Sequence, residues 1–286
     1  MAQDELESAS RLFEESHTHF RLSGSTPDIA KSLDRLGVVA WTRGDYETAD
    51  RLLTESRDLA GAASNIWYAA SAMVNHGRVA LSQGRLALAR NLLAESVPLL
   101  NEVKDVYHVS IALYHQAIVA RCEADYPRAL LLLEQSAAPL REWGDPVFLN
   151  YCLGQQGIVL WLQGKLDEAV ALLVESATIS AQMKDQSGLA NWLEALAGVC
   201  SDAGEPIWAA KLWGGAEALR ENIGAPLEPY ERLEYNRHVN ASRSRLGKAP
   251  FAEAWSVGRA VSIEELVPLL VDRLGARGTL SAATSL

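Results

Sequence analysis

The feature that most constrains this chain is a recurrence at 40 residues that needs no gap. Gly44, Gly84, Gly164 and Gly204 stand multiples of 40 apart, with Ala124 in the vacant slot. Five residues after each come Ala49, Ala89, Ala129, Ala169 and Ala209, and nine after each Leu53, Leu93, Leu133, Leu173 and Trp213. Twelve after each stand Ser56, Ser96, Ser136, Ser176 and Ala216. Upstream, Gly37, Gly77, Ala117, Gly157 and Ala197 keep step, as do Asn65, Asp105, Asp145 and Asp185. A constant period of this length marks a stack of like units, none of which can bury its apolar face alone.

One unit can be built from its slots. Asn or Asp caps a helix by accepting an N–H of the first turn, and Pro146 follows Asp145 where a first-turn proline is tolerated. The helix runs about sixteen residues to a glycine able to take the left-handed conformation that ends it, as at Gln83-Gly84 and Gln163-Gly164. A second helix follows at once. Leu86, Ala89, Leu92, Leu93 and Ser96 share one face at helical spacing, and so do Leu166, Ala169, Leu172, Leu173 and Ser176. Each unit is therefore an antiparallel helical hairpin. Its small slots bring the paired backbones close, and its leucines fill the space between units. The fold class expected is all-α.

Composition excludes several alternatives. Of 286 residues 49% are hydrophobic, ample for a core, and 26 Lys plus Arg against 36 Asp plus Glu give a net charge of -10. That balance disfavours sequence-independent binding to phosphate backbones, so no direct nucleic-acid contact is expected. The basic strip Arg237, Arg243, Arg245 and Lys248 reads as a solvated helix face. The acidic start Met1-Ala2-Gln3-Asp4-Glu5 is unlike a secretory signal, and no apolar run approaches the ~18 residues of a membrane span. A cytoplasmic location without membrane contact is expected. Cys122, Cys152 and Cys200, widely spaced in apolar surroundings, read as buried small hydrophobes.

No motif of catalysis emerges, so neither an enzyme nor a cofactor is expected. Gly164-Lys165 lacks a phosphate loop's first glycine, where Val159 stands, and its magnesium-binding hydroxyl, where Leu166 stands. His17 and His19 point to different sides of a helix. His108 and His115 share a face, but no third ligand accompanies them, so no metal site is expected.

The run Leu33-x2-Leu36-Gly37-x2-Ala40-x3-Gly44-x4-Ala49-x3-Leu53-x2-Ser56 resembles the tetratricopeptide repeat family. The likeness covers five repeats over 28–222. It departs from the family in its longer period, in His76, Gln116 and Gln156 where leucine is usual, and in Ala124. Membership implies a right-handed α-solenoid whose concave face is lined by the first helix of each hairpin. Carried to this chain, the family's groove slots fall on Lys31, Asp34, Trp41, Arg78, Tyr114, Arg121, Tyr151, Trp161, Asn191 and Glu194. Aromatics and arginines in such a row could grip an extended peptide, a protein partner or a small inducer. For Trp41 and Trp161 filling of the interior stands equally open. Ser71, Ile111, Val74 and Gly154 occupy slots where the family's two-carboxylate clamp needs Lys and Asn, which argues against a chaperone-tail receptor.

The ending of the chain adds a narrower likeness. The residues Lys211 to Arg220, Ile223 to Leu227, Phe251 to Trp255 and Gly258-Arg259-Ala260 to Glu265 are similar to the close of bacterial signal-transducing ATPase regulators, often of LuxR type. That likeness implies a sensor region serving a P-loop ATPase domain, often accompanied in such regulators by a DNA-binding domain, outside these residues. The alternative is a free-standing adaptor that binds a partner's peptide segment.

The domain organisation expected is a half repeat or capping helix over 1–22, five hairpins over 23–222, capping helices over 223–274 and a flexible tail over 275–286. Leu6, Ala9, Phe13, Glu15 and Ser16 precede Tyr46, Ala49, Leu53, Glu55 and Ser56 by 40, as in a second helix without its first. Such a start suggests the C-terminal piece of a longer protein, with a simple cap as the other possibility. Near the end, helices are expected over 230–246 and 262–274, with a break at Gly247.

Overall fold

The structure is a computed structural model that describes residues 2–261, with side chains from residue 7, and beyond them positions 265, 268, 269 and 272. The tail expected over 275–286 lies outside the described residues, as does most of the helix expected over 262–274. The described residues form α1 (Ala2–Ser23), α2 (Thr26–Thr42), α3 (Tyr46–Ala62), α4 (Ile66–Ser82), α5 (Leu86–Glu102), α6 (Val106–Cys122) and α7 (Tyr126–Trp143). There follow α8 (Pro146–Leu162), α9 (Leu166–Met183), α10 (Gln186–Asp202), α11 (Pro206–Ile223), α12 (Arg232–Leu246) and α13 (Lys248–Ala260). The architecture is an all-α helical repeat. Two compact units divide the chain, one of Met1–Gly144 with Gly224–Tyr230, the other of Asp145–Ile223 with Glu231–Leu286. In the first, α1 packs on α2, and α2/α3, α4/α5 and α6/α7 are hairpins; in the second, α8/α9 and α10/α11 are hairpins, and α12 and α13 pack on α11.

The geometric period is half the sequence period. A left-handed residue stands at every twentieth position from 24 to 224: Gly24, Gly44, Ser64, Gly84, Lys104, Ala124, Gly144, Gly164, Lys184, Gly204 and Gly224. Non-glycine residues in this conformation carry a cost of about 1–2 kcal/mol each, which the turn offsets by satisfying helix-end carbonyls. Asp45 N–H donates to Ala40 O at 2.9 Å and Gly44 N–H to Trp41 O at 2.9 Å, and the same pair of bonds recurs at Asn65 and Ser64. The residue that closes one helix then caps the next. The side chains of Asp45, Asn65, Asp105, Asp125, Asp145 and Asp185 each accept from a first-turn N–H. Lys165 at the start of α9 makes no such bond. Lys165→Asp is expected to raise stability by about 1 kcal/mol, read from the midpoint and slope of urea unfolding.

The small slots of the first helices receive a leucine of the same hairpin rather than bringing backbone against backbone, because the leucine side chain occupies the room the missing Cβ leaves. A Cβ placed on Gly37 would lie 2.6 Å from Leu53 Cγ, on Gly77 2.7 Å from Leu93 Cγ, and on Gly157 2.8 Å from Leu173 Cγ. Each leucine of a second helix is thus seated on the bare backbone of its first helix. Leu53, Leu93 and Leu173 are all fully buried, and Ala49, Ala89, Ala129, Ala169 and Ala209 are too. Burying one leucine contributes roughly 1.5–3 kcal/mol. The serine slot also binds backbone: Ser56 Oγ donates to Ala30 O at 2.7 Å, and Ser136 Oγ to Ser110 O at 2.8 Å.

The C-terminal likeness resolves into a packing device. A Cβ on Gly258 would sit 1.9 Å from Lys211 O, and one on Gly214 2.2 Å from Trp255 O, so α11 and α13 cross backbone against backbone. Trp255 Nε1 donates to Glu217 Oε2 at 2.7 Å, and Arg259 pairs with Glu217 and Glu221 at the rim.

Three expectations change. Cys152 and Cys200 are buried but Cys122 is exposed, because it is the last residue of α6, where the helix gives way to the turn. The helix expected from 230 begins at Arg232, since Gly224–Tyr230 belongs to the first unit and is not helical. The basic strip is exposed yet partnered: Arg245 Nη1 donates to Ser201 O at 2.7 Å, and the Arg243 guanidinium lies 4.9 Å over the Phe251 ring.

Candidate binding surface on the first helices

In the first unit α2 packs on α4 and α4 on α6, more closely than α3, α5 and α7 pack on one another, so the first helices line the inside of this unit. Six of the expected groove residues lie on them. Lys31 is exposed, Trp41 and Arg78 are half-buried, and Asp34, Tyr114 and Arg121 are 5%, 6% and 8% exposed. Hydrogen bonds between successive first helices bind three of these together. Asn75 Nδ2 donates to Asp34 Oδ1 at 2.8 Å, Arg78 Nη1 donates to Asn75 Oδ1 at 3.1 Å, and the Arg78 guanidinium lies 4.3 Å over the Trp41 ring. Trp41 Nε1 in turn donates to Ser82 Oγ at 2.8 Å. Burial raises the Asp34 carboxyl above its ordinary range, opposed by the Asn75 bond and by Arg35 and Arg78. Burial likewise pushes the His115 imidazole well down, helped by Arg78, so it is neutral at pH 7. The result is an indole clamped between a cation and a hydroxyl.

That hydroxyl has a third neighbour. Ser82 Oγ lies 3.0 Å from Glu228 Oε2, and the Cβ position of Gly44 lies 3.8 Å from Pro226 Cγ. Residues 225–228 have no regular secondary structure and belong to this unit. This irregular stretch of chain therefore meets the turn after α2 and the last residue of α4.

In the second unit the remaining candidates are engaged differently. Trp161 is 8% exposed, its ring seated where Gly198 has no Cβ and 5.0 Å from the His238 ring, while its Nε1 donates to Asp202 Oδ2 at 2.8 Å. It fills the interior. Tyr151 is half-buried, edge-on to Trp192 at 5.8 Å. Asn191 and Glu194 are both bound by Arg220 of α11: its Nε and Nη2 donate to the two Glu194 carboxylate oxygens at 2.6 Å each, and Nη2 donates to Asn191 Oδ1 at 2.7 Å.

Sequence reasoning missed Asn75, Ser82 and the Pro226–Glu228 contacts. The first two had a signal: Asp34 to Asn75, Trp41 to Ser82 and Trp161 to Asp202 are each 41 residues apart, one period plus one. Among the described residues no three His, Cys, Asp or Glu side chains converge as a metal site, and no helix is long and apolar enough to cross a membrane.

No family model and no curated protein matches this sequence. Among solved structures it is similar to BtubC (BKLC) from P. vanneervenii, with a TM-score of 0.57 at 14% identity over 79% of this chain and 94% of that one. Fold and likeness together define the class as an all-helical repeat protein.

Proposed function

We propose that the chain is a non-catalytic scaffold of tetratricopeptide type that holds an extended segment of a partner protein on the inner face of its first helices. The observation that carries this reading is the irregular stretch 225–228 lying against Trp41-linked Ser82 and Gly44. A surface that accepts one non-helical segment through side-chain contacts has the chemistry to accept another. The recurring leucine seats on Gly37, Gly77 and Gly157 support the repeat type. We further place the chain as the sensor region of a bacterial ATPase-type transcriptional regulator, a reading that rests on the residues at its close. An in-frame P-loop domain encoded upstream would favour that over a free-standing adaptor.

The binding reading is tested with the purified chain on an array of random ten-residue peptides. Enrichment of extended acidic sequences is expected, with signal lost in Trp41→Ala at unchanged helicity. No enrichment, or enrichment indifferent to Trp41, would overturn it.

A further inference from the structure

We propose that residues 225–228 are a built-in occupant of a peptide subsite on α2 and α4, and that this subsite selects extended acidic peptides in which a proline precedes a glutamate by two positions. The inference rests on the peptide-binding reading above and adds its specificity and a means of closing the site. The contacts define both requirements. Pro226 sits beside the turn at Gly44, its Cγ 3.8 Å from the Cβ position of that residue, at ordinary van der Waals distance. A proline there leaves no N–H unsatisfied and arrives with φ already fixed, which lowers the entropy lost on docking. Two residues on, Glu228 meets Ser82 Oγ at 3.0 Å. This hydroxyl already accepts from Trp41 Nε1, so its one hydrogen is free to donate, either to Arg78 O at 3.1 Å or to the carboxylate. The charged acceptor makes the stronger bond. Arg78 stands one turn before Ser82 and supplies positive charge to the same helix end. Glutamate therefore fits where an amide or an apolar residue would fit less well.

Tethering makes the segment a competitor. Held between the end of α11 at Ile223 and the start of α12 at Arg232, the segment acts as an internal ligand at an effective concentration of about 1 mM. If the free subsite binds such a peptide with a Kd of about 0.1 mM, only about a tenth of intact molecules present it open, and the apparent affinity falls about ten-fold.

The experiment uses a fluorescein-labelled peptide with the sequence of residues 222–231, titrated by anisotropy into the whole chain and into a variant whose residues 225–228 are replaced by Gly-Ser-Gly-Ser. Circular dichroism confirms that both remain helical. Binding about ten-fold tighter to the replaced variant is expected, weakened about ten-fold again when Ser82→Ala is added or when the peptide's Pro-Leu-Glu glutamate becomes glutamine. Equal affinity for both chains, or indifference to Ser82→Ala, overturns the inference. Hydrogen exchange gives a reading free of any added peptide: the 225–228 stretch should be protected in the intact chain and exchange faster in Ser82→Ala, and lack of protection also overturns it. Array peptides that bind both chains equally yet need Trp41 would remove the internal occupant and leave the peptide reading standing. Failure of every peptide to need Trp41 would remove both.

Discussion

Gly258→Ala should lower the stability of the second unit by about 3 kcal/mol, the upper part of the usual range for overpacking. The added methyl would stand 1.9 Å from Lys211 O, and a backbone oxygen in the middle of α11 has no rotamer by which to step aside. Relief must come from α13 moving as a body. That motion would pull Trp255 Nε1 off Glu217 and separate Arg259 from Glu217 and Glu221. The exposed Arg259 pairs add little to the total, so the loss is mainly of packing around Gly214, Phe251 and Ala254. Alanine's better helix propensity returns up to about 1 kcal/mol, included in the net figure. The control is Gly61→Ala, where nothing lies within 4 Å of the new Cβ and the change should be neutral or mildly stabilising. Urea unfolding gives the free energies, and hydrogen exchange should show α13 amides exchanging faster while α4 amides stay protected. A Gly258→Ala chain as stable as its parent would mean that α11 and α13 do not cross at contact distance.

The hairpins were legible because each of their determinants is local or repeats. A helix end needs a left-handed residue and a cap in adjacent positions, and the seat of Leu53 on Gly37 recurs wherever the period places it. Even so, the twenty-residue rhythm of turns escaped the reading, because Ser64, Lys104 and Lys184 fill left-handed positions without the glycine that would advertise them. Asp45 and Asp125 cap second helices at the same offset at which Arg85 and Lys165 do not, which hid the slot. The candidate surface was only half legible. A family slot places a residue on the inner helix, but whether it faces open space depends on partners from elsewhere in the chain. Trp161 is claimed by Gly198 and His238, which lie outside its hairpin, and Glu194 by Arg220 of the facing helix. Glu228 lies 146 residues from Ser82, beyond the reach of any periodic signal.

Arg220→Ala is expected to cost about 3–5 kcal/mol at neutral pH, because it strips a buried carboxylate of its cation. The Arg220 and Glu194 side chains are each 13% exposed, and the guanidinium meets both Glu194 oxygens and Asn191 Oδ1. After truncation, Glu194 faces the acceptor oxygen of Asn191 in place of a donor, with Glu231 adding like charge nearby. The pH dependence follows from the direction of its titration. Burial raises the Glu194 carboxyl above its ordinary 4.5, and the bond and charge of Arg220 hold that rise in check. Without Arg220 the folded form binds a proton more tightly still, whereas the unfolded form keeps its ordinary value. Stability of the variant then falls as pH rises from the unfolded value through the folded one, and recovers on acidification. Its deficit against the parent should be largest near pH 8 and smaller by about 1–2 kcal/mol near pH 5, measured by urea unfolding at each pH. Arg220→Met combined with Glu194→Leu removes both charges and should recover most of the loss at either pH, since apolar replacement of a buried pair is often neutral. A deficit of equal size at pH 5 and pH 8 would show that Arg220 stabilises α11 through its packing rather than by neutralising Glu194.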